Sequence, residues 1–368
     1  MKRVDPDEAP TVHAAAANVA AGPLPSGPED RVASVDALRG LAVVSWLVLL
    51  SSCAVQPYNR SYQGPQVRPA ELLDYYGYPH QPFNATIKML MQKRQYSVER
   101  VELDSAVNLF GTERIKIDYY RLNRPGRFPT ILALPISGGV DFCVESFARV
   151  FVGHGFNAAI VHNRSVDIEQ TNTAEEVEAF FRQVVLDNRQ VLDWLVQQPG
   201  VDPHRLGCLG LSLGGIKASL VAAVDDRIKG VVMGLAGGSL ADIAVSSREK
   251  KLKRCIDQWV RSGVPRKAIH EELSNKVRTD PLALAPYIDA RHTLMFIALF
   301  DRSVPRPCGD RFREAIGKPR TVYLPSGHYT AFLYLPYAHT ESLAFFKEKL
   351  SNAKDPLGYS ERSQDRDQ

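Results

Sequence analysis

The sequence predicts an α/β fold, in which a doubly wound and mostly parallel sheet is covered by helices on both faces. Short apolar runs alternate with helical patterns between residues 129 and 324, and this alternation is typical of parallel strands joined by crossover helices. The run at 205–211 leads into Gly210-Leu-Ser212-Leu-Gly214, and a helix-compatible segment follows at 216–223. A serine on such a strand–turn–helix junction is presented above the edge of the sheet.

The other elements follow in chain order. Residues 98–103 and 115–122 interleave apolar and polar side chains, which predicts an antiparallel pair with one solvated face and Gly111 near the turn. A capping box, Thr173-Ala-Glu-Glu176, opens a helix with an apolar stripe that ends near residue 199. A further helix is predicted at 142–154. The predicted core strands are 129–135, 157–162, 205–211, 227–234, 292–300 and 321–324.

Composition divides the chain into a main domain and its flanks. The main domain is predicted at residues 95–350, with a small helical insertion at 239–291 that departs from the strand–helix alternation. The basic run at 248–254 in this insertion predicts a solvated helix face, with contact to anionic lipid or substrate as the alternative. Residues 54–94 are predicted to form a tether and a surface wrap, and residues 351–368 a disordered tail.

The N-terminal region carries the pattern of an export signal. Residues 1–30 predict a disordered or misassigned extension, and residues 31–53 combine a positive flank, a short apolar core and small residues. The end of this segment, Leu50-Ser51-Ser52-Cys53, resembles a bacterial lipobox, which implies lipidation of Cys53. The alternative is an anchor helix or a buried segment with an incidental cysteine. The prediction is a protein exported and lipid-anchored to the cell envelope, on the periplasmic or outer face.

Charge and cysteine spacing narrow the functional classes. The net charge of +4 is small for 368 residues, and basic residues are not concentrated with aromatic ones, so nucleic acid is not an expected partner. The five cysteines form no C-x-x-C pair and have no histidine at metal-ligand spacing. The sequence therefore predicts neither a metal nor a cofactor. Cys208, in a core strand, is expected to be a free buried thiol.

Three residues have the chemistry and the position for nucleophilic catalysis. Ser212 is the candidate nucleophile, and a serine needs a neighbouring base to take its proton. His328 follows the last predicted strand behind a glycine, and Asp301 follows the strand before it. The carboxyl ends of parallel strands meet at one edge of a sheet, so all three side chains are expected there. The alternatives are His162 for the base, and Asp289 or Asp280 for the acid.

The chain resembles the α/β-hydrolase fold enzymes, in particular esterases and dienelactone hydrolases. The resemblance rests on the elbow around Ser212, on Phe300-Asp301-Arg-Ser-Val-Pro305 and on Ser326-Gly327-His328, in the chain order of that family. It covers about residues 98–350. It implies an oxyanion hole made by the backbone N–H of Leu213 and by an N–H of the loop 135–139, which we assign to Ser137.

The predicted function is hydrolysis of a carboxylic ester or thioester through a Ser–Asp–His triad and an acyl-enzyme intermediate. The expected partners are a small-molecule or lipid-like acyl substrate and, through the anchor, a membrane. Because the same fold hosts many activities, a peptidase or an acyltransferase using the same triad remains an alternative. A binding lipoprotein without catalytic turnover is the alternative from a different class.

Overall fold

The computed structural model of the protein describes residues 53–109, 113–140, 142–165 and 168–351. The predicted extension at 1–30, the signal segment before Cys53, the turn at Gly111 and the tail beyond Ser351 lie outside these residues. Within the described chain, no helix has the length and the apolar character that a membrane crossing requires.

Ten strands of the described chain form one sheet. They are β1 (Ala54–Gln56), β2 (Ala85–Gln92), β3 (Tyr96–Leu103), β4 (Ile115–Leu122), β5 (Phe128–Leu134), β6 (Asn157–Val161), β7 (Val201–Leu211), β8 (Ile228–Gly234), β9 (Thr293–Ala298) and β10 (Arg320–Leu324). Their order across the sheet is β1-β10-β9-β8-β7-β5-β6-β4-β3-β2. Six neighbouring strands, β10, β9, β8, β7, β5 and β6, are parallel to one another. β1 pairs antiparallel with β10 at one side of this group, and β4, β3 and β2 continue the sheet in antiparallel pairs beyond β6. The predicted mostly parallel sheet is confirmed.

The helices lie between the strands and in one longer insertion. They are α1 (Ala70–Tyr75), α2 (Phe142–Gly153), α3 (Ala174–Val196), α4 (Leu213–Val224), α5 (Leu240–Ser246), α6 (Lys250–Arg261), α7 (Arg266–Lys276), α8 (Pro281–Leu284), α9 (Arg306–Ile316) and α10 (Leu335–Lys349). Single 3-10 turns occur at Ile168–Gln170, Ala285–Tyr287, Ala290–His292 and Thr330–Tyr334. The predicted helical insertion at 239–291 therefore contains α5 to α8.

Side chains of the central strands alternate between two cores, as a sheet covered on both faces requires. On β5, Leu132 and Leu134 belong to the larger core, which includes residues of α3 and α4. Ala133, between them, belongs to a smaller core with Val144 and Ala148 of α2. The strands at the centre of the sheet are thus buried on both sides, which explains their continuous apolar runs.

Local signals in the sequence correspond to local structure. The N–H of Glu176 donates to the Thr173 hydroxyl at 3.2 Å, so the predicted N-cap of α3 is confirmed. Lys253 and Arg254 on α6 are exposed, while Ile256 and Trp259 on the same helix are buried. The basic run therefore covers the solvated face of an amphipathic helix.

The segment 54–94 differs from its prediction as a tether and surface wrap. β1 pairs with β10 at one edge of the sheet, and β2 pairs with β3 at the other edge. β1 has three residues, too few to show an alternating pattern, and nearly all side chains of β2 are exposed. Because neither strand buries one face, neither gives the hydrophobic signal on which a strand prediction depends.

Candidate active site

The elbow at Ser212 requires a glycine two residues before the serine and another two residues after it. Ser212 joins β7 to α4 with φ 54° and ψ −125°, an unfavourable conformation for a residue with a side chain. A Cβ on Gly210 would lie 2.0 Å from the carbonyl oxygen of Gly214, and a Cβ on Gly214 would lie 2.1 Å from that of Leu134. The glycines of the motif therefore permit the close packing that holds the serine at the sheet edge.

His328 connects the serine to a carboxylate. Its Nε2 lies 2.9 Å from the Ser212 hydroxyl oxygen, and its Nδ1 lies 2.7 Å from Oδ2 of Asp301. These contacts have the geometry of a nucleophile, a base and a group that orients the base. The structure thus brings together all three side chains that the sequence analysis placed at this edge.

Asp301 is fixed by its own loop. Its Oδ1 accepts hydrogen bonds from the backbone N–H groups of Ser303 and Val304, at 2.8 and 2.9 Å. Its side chain is 2% exposed, and that of His328 is 11% exposed. One carboxylate oxygen is therefore held by the backbone, and the other is directed to the imidazole.

The acid loop and the histidine loop are joined by backbone hydrogen bonds beyond the ends of β9 and β10. The Leu299 N–H donates to the carbonyl oxygen of Leu324, and the Phe300 N–H donates to that of Ser326, both at 2.9 Å. These bonds extend the parallel pairing by two residues on each side. The separation of Asp301 and His328 is consequently set by the sheet.

The alternative acids and base have other partners. Nε2 of His162 contacts Asp118 on β4 at 2.9 Å, and His162 lines a separate small cavity. Asp280 accepts from backbone N–H groups that include Leu282, where it caps α8. Asp289 forms an ion pair with Arg291. Each of these residues has a structural role away from the Ser212–His328–Asp301 arrangement.

The two residues assigned to the oxyanion hole line one cavity with Ser212. Leu213 begins α4 directly after the serine, and Ser137 lies in the loop that follows β5. The loop is stabilised from outside the cavity by Asn163, whose Nδ2 donates to the carbonyl oxygen of Ile136 at 2.9 Å. Nζ of Lys217 donates to Oδ1 of the same asparagine at 2.7 Å.

Sequence reasoning missed Asn163 and Lys217. The available signal for Asn163 was its place directly after the predicted strand 157–162, at the same sheet edge as the serine. Lys217 gave the weaker signal of a lysine one turn into an otherwise apolar helix. It is 4% exposed, and a buried ammonium group requires compensating partners.

The insertion contacts the histidine loop through Glu249, the residue before α6. Its carboxylate accepts hydrogen bonds from the Tyr329 hydroxyl and from the Ser303 hydroxyl, the latter at 3.2 Å. The bond to Glu249 is the main reason why the pKa of Tyr329 rises to about 12. Burial opposes the charged form of Glu249, but these hydrogen bonds outweigh it and lower the pKa of its carboxyl. The insertion is thus tied to both loops of the candidate site.

A cavity of about 420 Å³ extends from Ser212 under the insertion. Its walls come from α3, from α5 to α7 and from the segment after His328. This volume lies within the range of ligand pockets in proteins.

Comparison with known proteins gives one family match. The family model for acetyl xylan esterase matches residues 169–236, which contain α3, β7, the elbow and β8. The match includes Ser212 but ends before Asp301 and His328.

An uncharacterized protein of Mycobacterium tuberculosis is 30% identical over 147 residues, which are 40% of this chain and 33% of that protein. This chain thus aligns with about a third of the length of that relative.

Solved structures of esterases have the same fold. Acetyl xylan esterase 1 from Thermoanaerobacterium sp. JW/SL YS485 superposes with a TM-score of 0.62 at 19% identity, over 79% of this chain and 98% of that chain. Acetyl xylan esterase from Paenibacillus sp. R4 gives a TM-score of 0.61 at 20% identity, over 77% and 100%. The chain has the α/β-hydrolase fold, as predicted. The family match and this fold support an enzyme of the carboxylic ester hydrolase class.

Proposed function

We propose that this protein is a serine hydrolase that cleaves carboxylic esters or thioesters through an acyl-enzyme intermediate. The observation that carries the proposal is the unbroken chain of contacts from the Ser212 hydroxyl through His328 to Asp301, at 2.9 and 2.7 Å. Serine is unreactive at neutral pH without a base, and this chain supplies one at hydrogen-bond distance.

The first half of the reaction forms the acyl-enzyme. The Ser212 oxygen attacks the acyl carbon while Nε2 of His328 takes the hydroxyl proton, and Asp301 stabilises the resulting imidazolium. The negative charge on the former carbonyl oxygen is met by the N–H groups of Leu213 and Ser137. When the tetrahedral intermediate collapses, the bond to the leaving oxygen or sulfur breaks, and the leaving group receives the proton from His328.

The second half releases the acid. A water molecule attacks the acyl carbon of the Ser212 ester, and His328 takes a proton from that water. Collapse of the second intermediate returns the proton to the serine oxygen. The carboxylic acid leaves, and the resting arrangement of the three side chains is restored.

Labelling with a fluorophosphonate probe tests the proposal directly. The wild-type protein is expected to be labelled and to hydrolyse p-nitrophenyl esters, and Ser212→Ala is expected to lose both properties. Ser219→Ala is the matched control, because this buried serine of α4 donates to the carbonyl oxygen of Ile216 within its own helix. A folded wild-type protein that is neither labelled nor active would overturn the proposal.

We further propose that Cys53 carries a lipid anchor that holds the domain at the cell envelope. The proposal rests on the sequence before Cys53, which has the export pattern described above. Cys53 immediately precedes β1, so an attached lipid would begin at the edge of the sheet. Metabolic labelling with a palmitate analogue in a bacterial host should mark the wild-type protein and not Cys53→Ser. Equal labelling of the two would contradict the anchor.

A further inference from the structure

The cavity beside Ser212 has a mostly apolar lining, which limits the kind of substrate that it can bind. Most of its lining consists of aliphatic and aromatic side chains, many of them supplied by α3 and by the insertion. We use the name inner wall for the lining residues Val177 and Phe181 of α3, Ile256 and Trp259 of α6, and Leu273 of α7. All five are buried, with exposed fractions of 7% or less. This inner wall offers dispersion contacts and exclusion of water.

The inner wall is also rigidly held. The indole Nε1–H of Trp259 donates to the carbonyl oxygen of Thr171 at 2.7 Å, which connects α6 to the turn before α3. The polar atom of the tryptophan is thereby satisfied by a backbone acceptor, and the ring lines the cavity, where it can contact a ligand. The cavity is therefore a preformed apolar site.

The lining residues of the cavity differ in exposure. Tyr329 and Phe332, in the segment that begins at His328, are 65% and 49% exposed, whereas the inner wall on α3, α6 and α7 is buried. In the proposed reaction the leaving group must receive its proton from His328 and depart to solvent. The exposed residues beside His328 suit the leaving group, and the buried inner wall suits the acyl portion.

We propose that this cavity binds an apolar acyl chain, so that the substrates are esters of medium-chain carboxylic acids of about six to ten carbons. The inference rests on the proposed hydrolase activity and specifies its substrate class. At about 30 Å³ for a group of the size of water, the cavity holds roughly a dozen non-hydrogen atoms. An acetyl group would leave most of this volume unfilled. The apolar wall of the cavity also provides few hydrogen-bond partners for the hydroxyl groups of a sugar.

The chain-length dependence of hydrolysis tests the proposal in the wild-type protein. A series of p-nitrophenyl esters from acetate to decanoate should show kcat/KM rising about fourfold per methylene group, to about 250-fold at hexanoate. A second series of acetate esters with lengthening alcohols should be nearly flat. A flat or falling acyl series, or a steeper alcohol series, would overturn the assignment of the cavity to the acyl chain.

A blocking variant tests the location. Ala244→Phe on α5 places a ring in the cavity wall, so the ratio of octanoate to acetate hydrolysis should fall at least about tenfold. Val245→Phe is the matched control on the same helix, since Val245 is 49% exposed and its ratio should equal that of the wild type. An unchanged ratio in folded Ala244→Phe would place the acyl chain elsewhere.

These outcomes separate the substrate class from the activity itself. If the wild-type protein hydrolyses acetate esters through Ser212 but shows no preference for longer chains, only the acyl-chain proposal fails. If the protein is folded but hydrolyses no ester and does not react with a fluorophosphonate, the proposed function fails, and the substrate class fails with it.

Discussion

The side-chain amide of Asn163 holds the carbonyl oxygen of Ile136 at 2.9 Å. That oxygen and the N–H of Ser137 belong to the same peptide group, and a trans peptide directs them to opposite sides. Lys217 can only donate, so its bond to Oδ1 of Asn163 leaves Nδ2 for the carbonyl oxygen. The Gly139 N–H donates to the same carbonyl oxygen at a longer 3.2 Å. Asn163, which lies outside the substrate cavity, therefore makes the shorter of two bonds that orient one proposed oxyanion donor.

Replacing Asn163 should lower the rate of the chemical step more than substrate affinity. In Asn163→Ala the carbonyl oxygen of Ile136 loses this donor, and in Asn163→Asp the carboxylate pairs with Lys217 and cannot donate. Removal of an oxyanion donor costs about a hundred- to thousandfold in kcat, and misorientation should cost about ten- to a hundredfold with KM nearly unchanged. Steady-state kinetics on a p-nitrophenyl ester provides the measurement.

The control for this prediction is Asn123→Ala. Nδ2 of Asn123 also donates to a backbone carbonyl oxygen, that of Lys93, at 2.8 Å, on an exposed turn. Its removal should leave both kinetic constants at the wild-type values. A positioning role for Asn163 is untenable if Asn163→Ala changes only KM, or if it loses activity in proportion to lost folded protein.

Changing Asp301 to asparagine should lower kcat by about a thousand- to ten-thousandfold without unfolding the protein. The amide keeps the shape of the side chain but cannot stabilise an imidazolium, and it favours the wrong tautomer of His328. Asp289→Asn is the matched control, because Asp289 was one of the two alternative acids and forms an ion pair with Arg291. Activity within about tenfold of wild type in Asp301→Asn would remove Asp301 from the proposed mechanism.

The parts of the site that were predictable from sequence depend on short stretches of chain. The elbow at Ser212 and the cap at Thr173 each need only a few consecutive residues. His328 and Asp301 could be placed because each follows a strand, and parallel strands present their carboxyl ends at one edge. The fold class followed from the same alternation of strands and helices.

The parts that were missed depend on contacts between distant residues. The hydrogen bond from Asn163 to Ile136 joins two loops that are distant in sequence. Sequence patterns do not predict individual side-chain contacts between such loops. The cavity under the insertion exists because α5 to α7 pack over the site, and the apolar pattern of a short helix does not say against what it packs. β1 and β2 are stabilised by pairing at the sheet edges, and their own sequences carry little signal.

Gly214→Ala should disrupt the elbow. A methyl group at this position would lie 2.1 Å from the carbonyl oxygen of Leu134. This oxygen is a backbone atom of the central strand β5, and shifting it would cost a large amount of free energy. We expect a loss of several kcal/mol of stability and loss of ester hydrolysis. Thermal denaturation and fluorophosphonate labelling are the measurements.

The comparison variant for Gly214 is Gly153→Ala at the end of α2. A methyl group there meets nothing within 4 Å, so stability should stay within about 1 kcal/mol of wild type. If Gly214→Ala were as stable and as active as Gly153→Ala, the tight packing of the elbow would not be a requirement of the site.

His339 on α10 should make the folded state less stable as the pH falls. Its Nε2 lies 2.8 Å from the Ser146 hydroxyl oxygen, and its ring packs edge-on against Phe147 at 4.4 Å between centroids. Burial disfavours the charged imidazolium and lowers the pKa of His339 below 6.5. The unfolded chain therefore binds a proton at a higher pH than the folded chain does. The resulting stability is fully present above about pH 6.5 and is lost as the pH falls towards the folded pKa.

Removing the imidazole should reduce this dependence. The free energy of unfolding of wild type, measured by urea denaturation at about pH 7.5 and about pH 5.5, should fall more steeply than that of His339→Gln. A single proton limits the difference in slope to about 1.4 kcal/mol per pH unit. His154→Gln, at an exposed histidine just after α2, should keep the wild-type slope. Equal slopes for wild type and His339→Gln would show that His339 takes up its proton equally in the folded and unfolded chains, and the predicted effect of burial would be wrong.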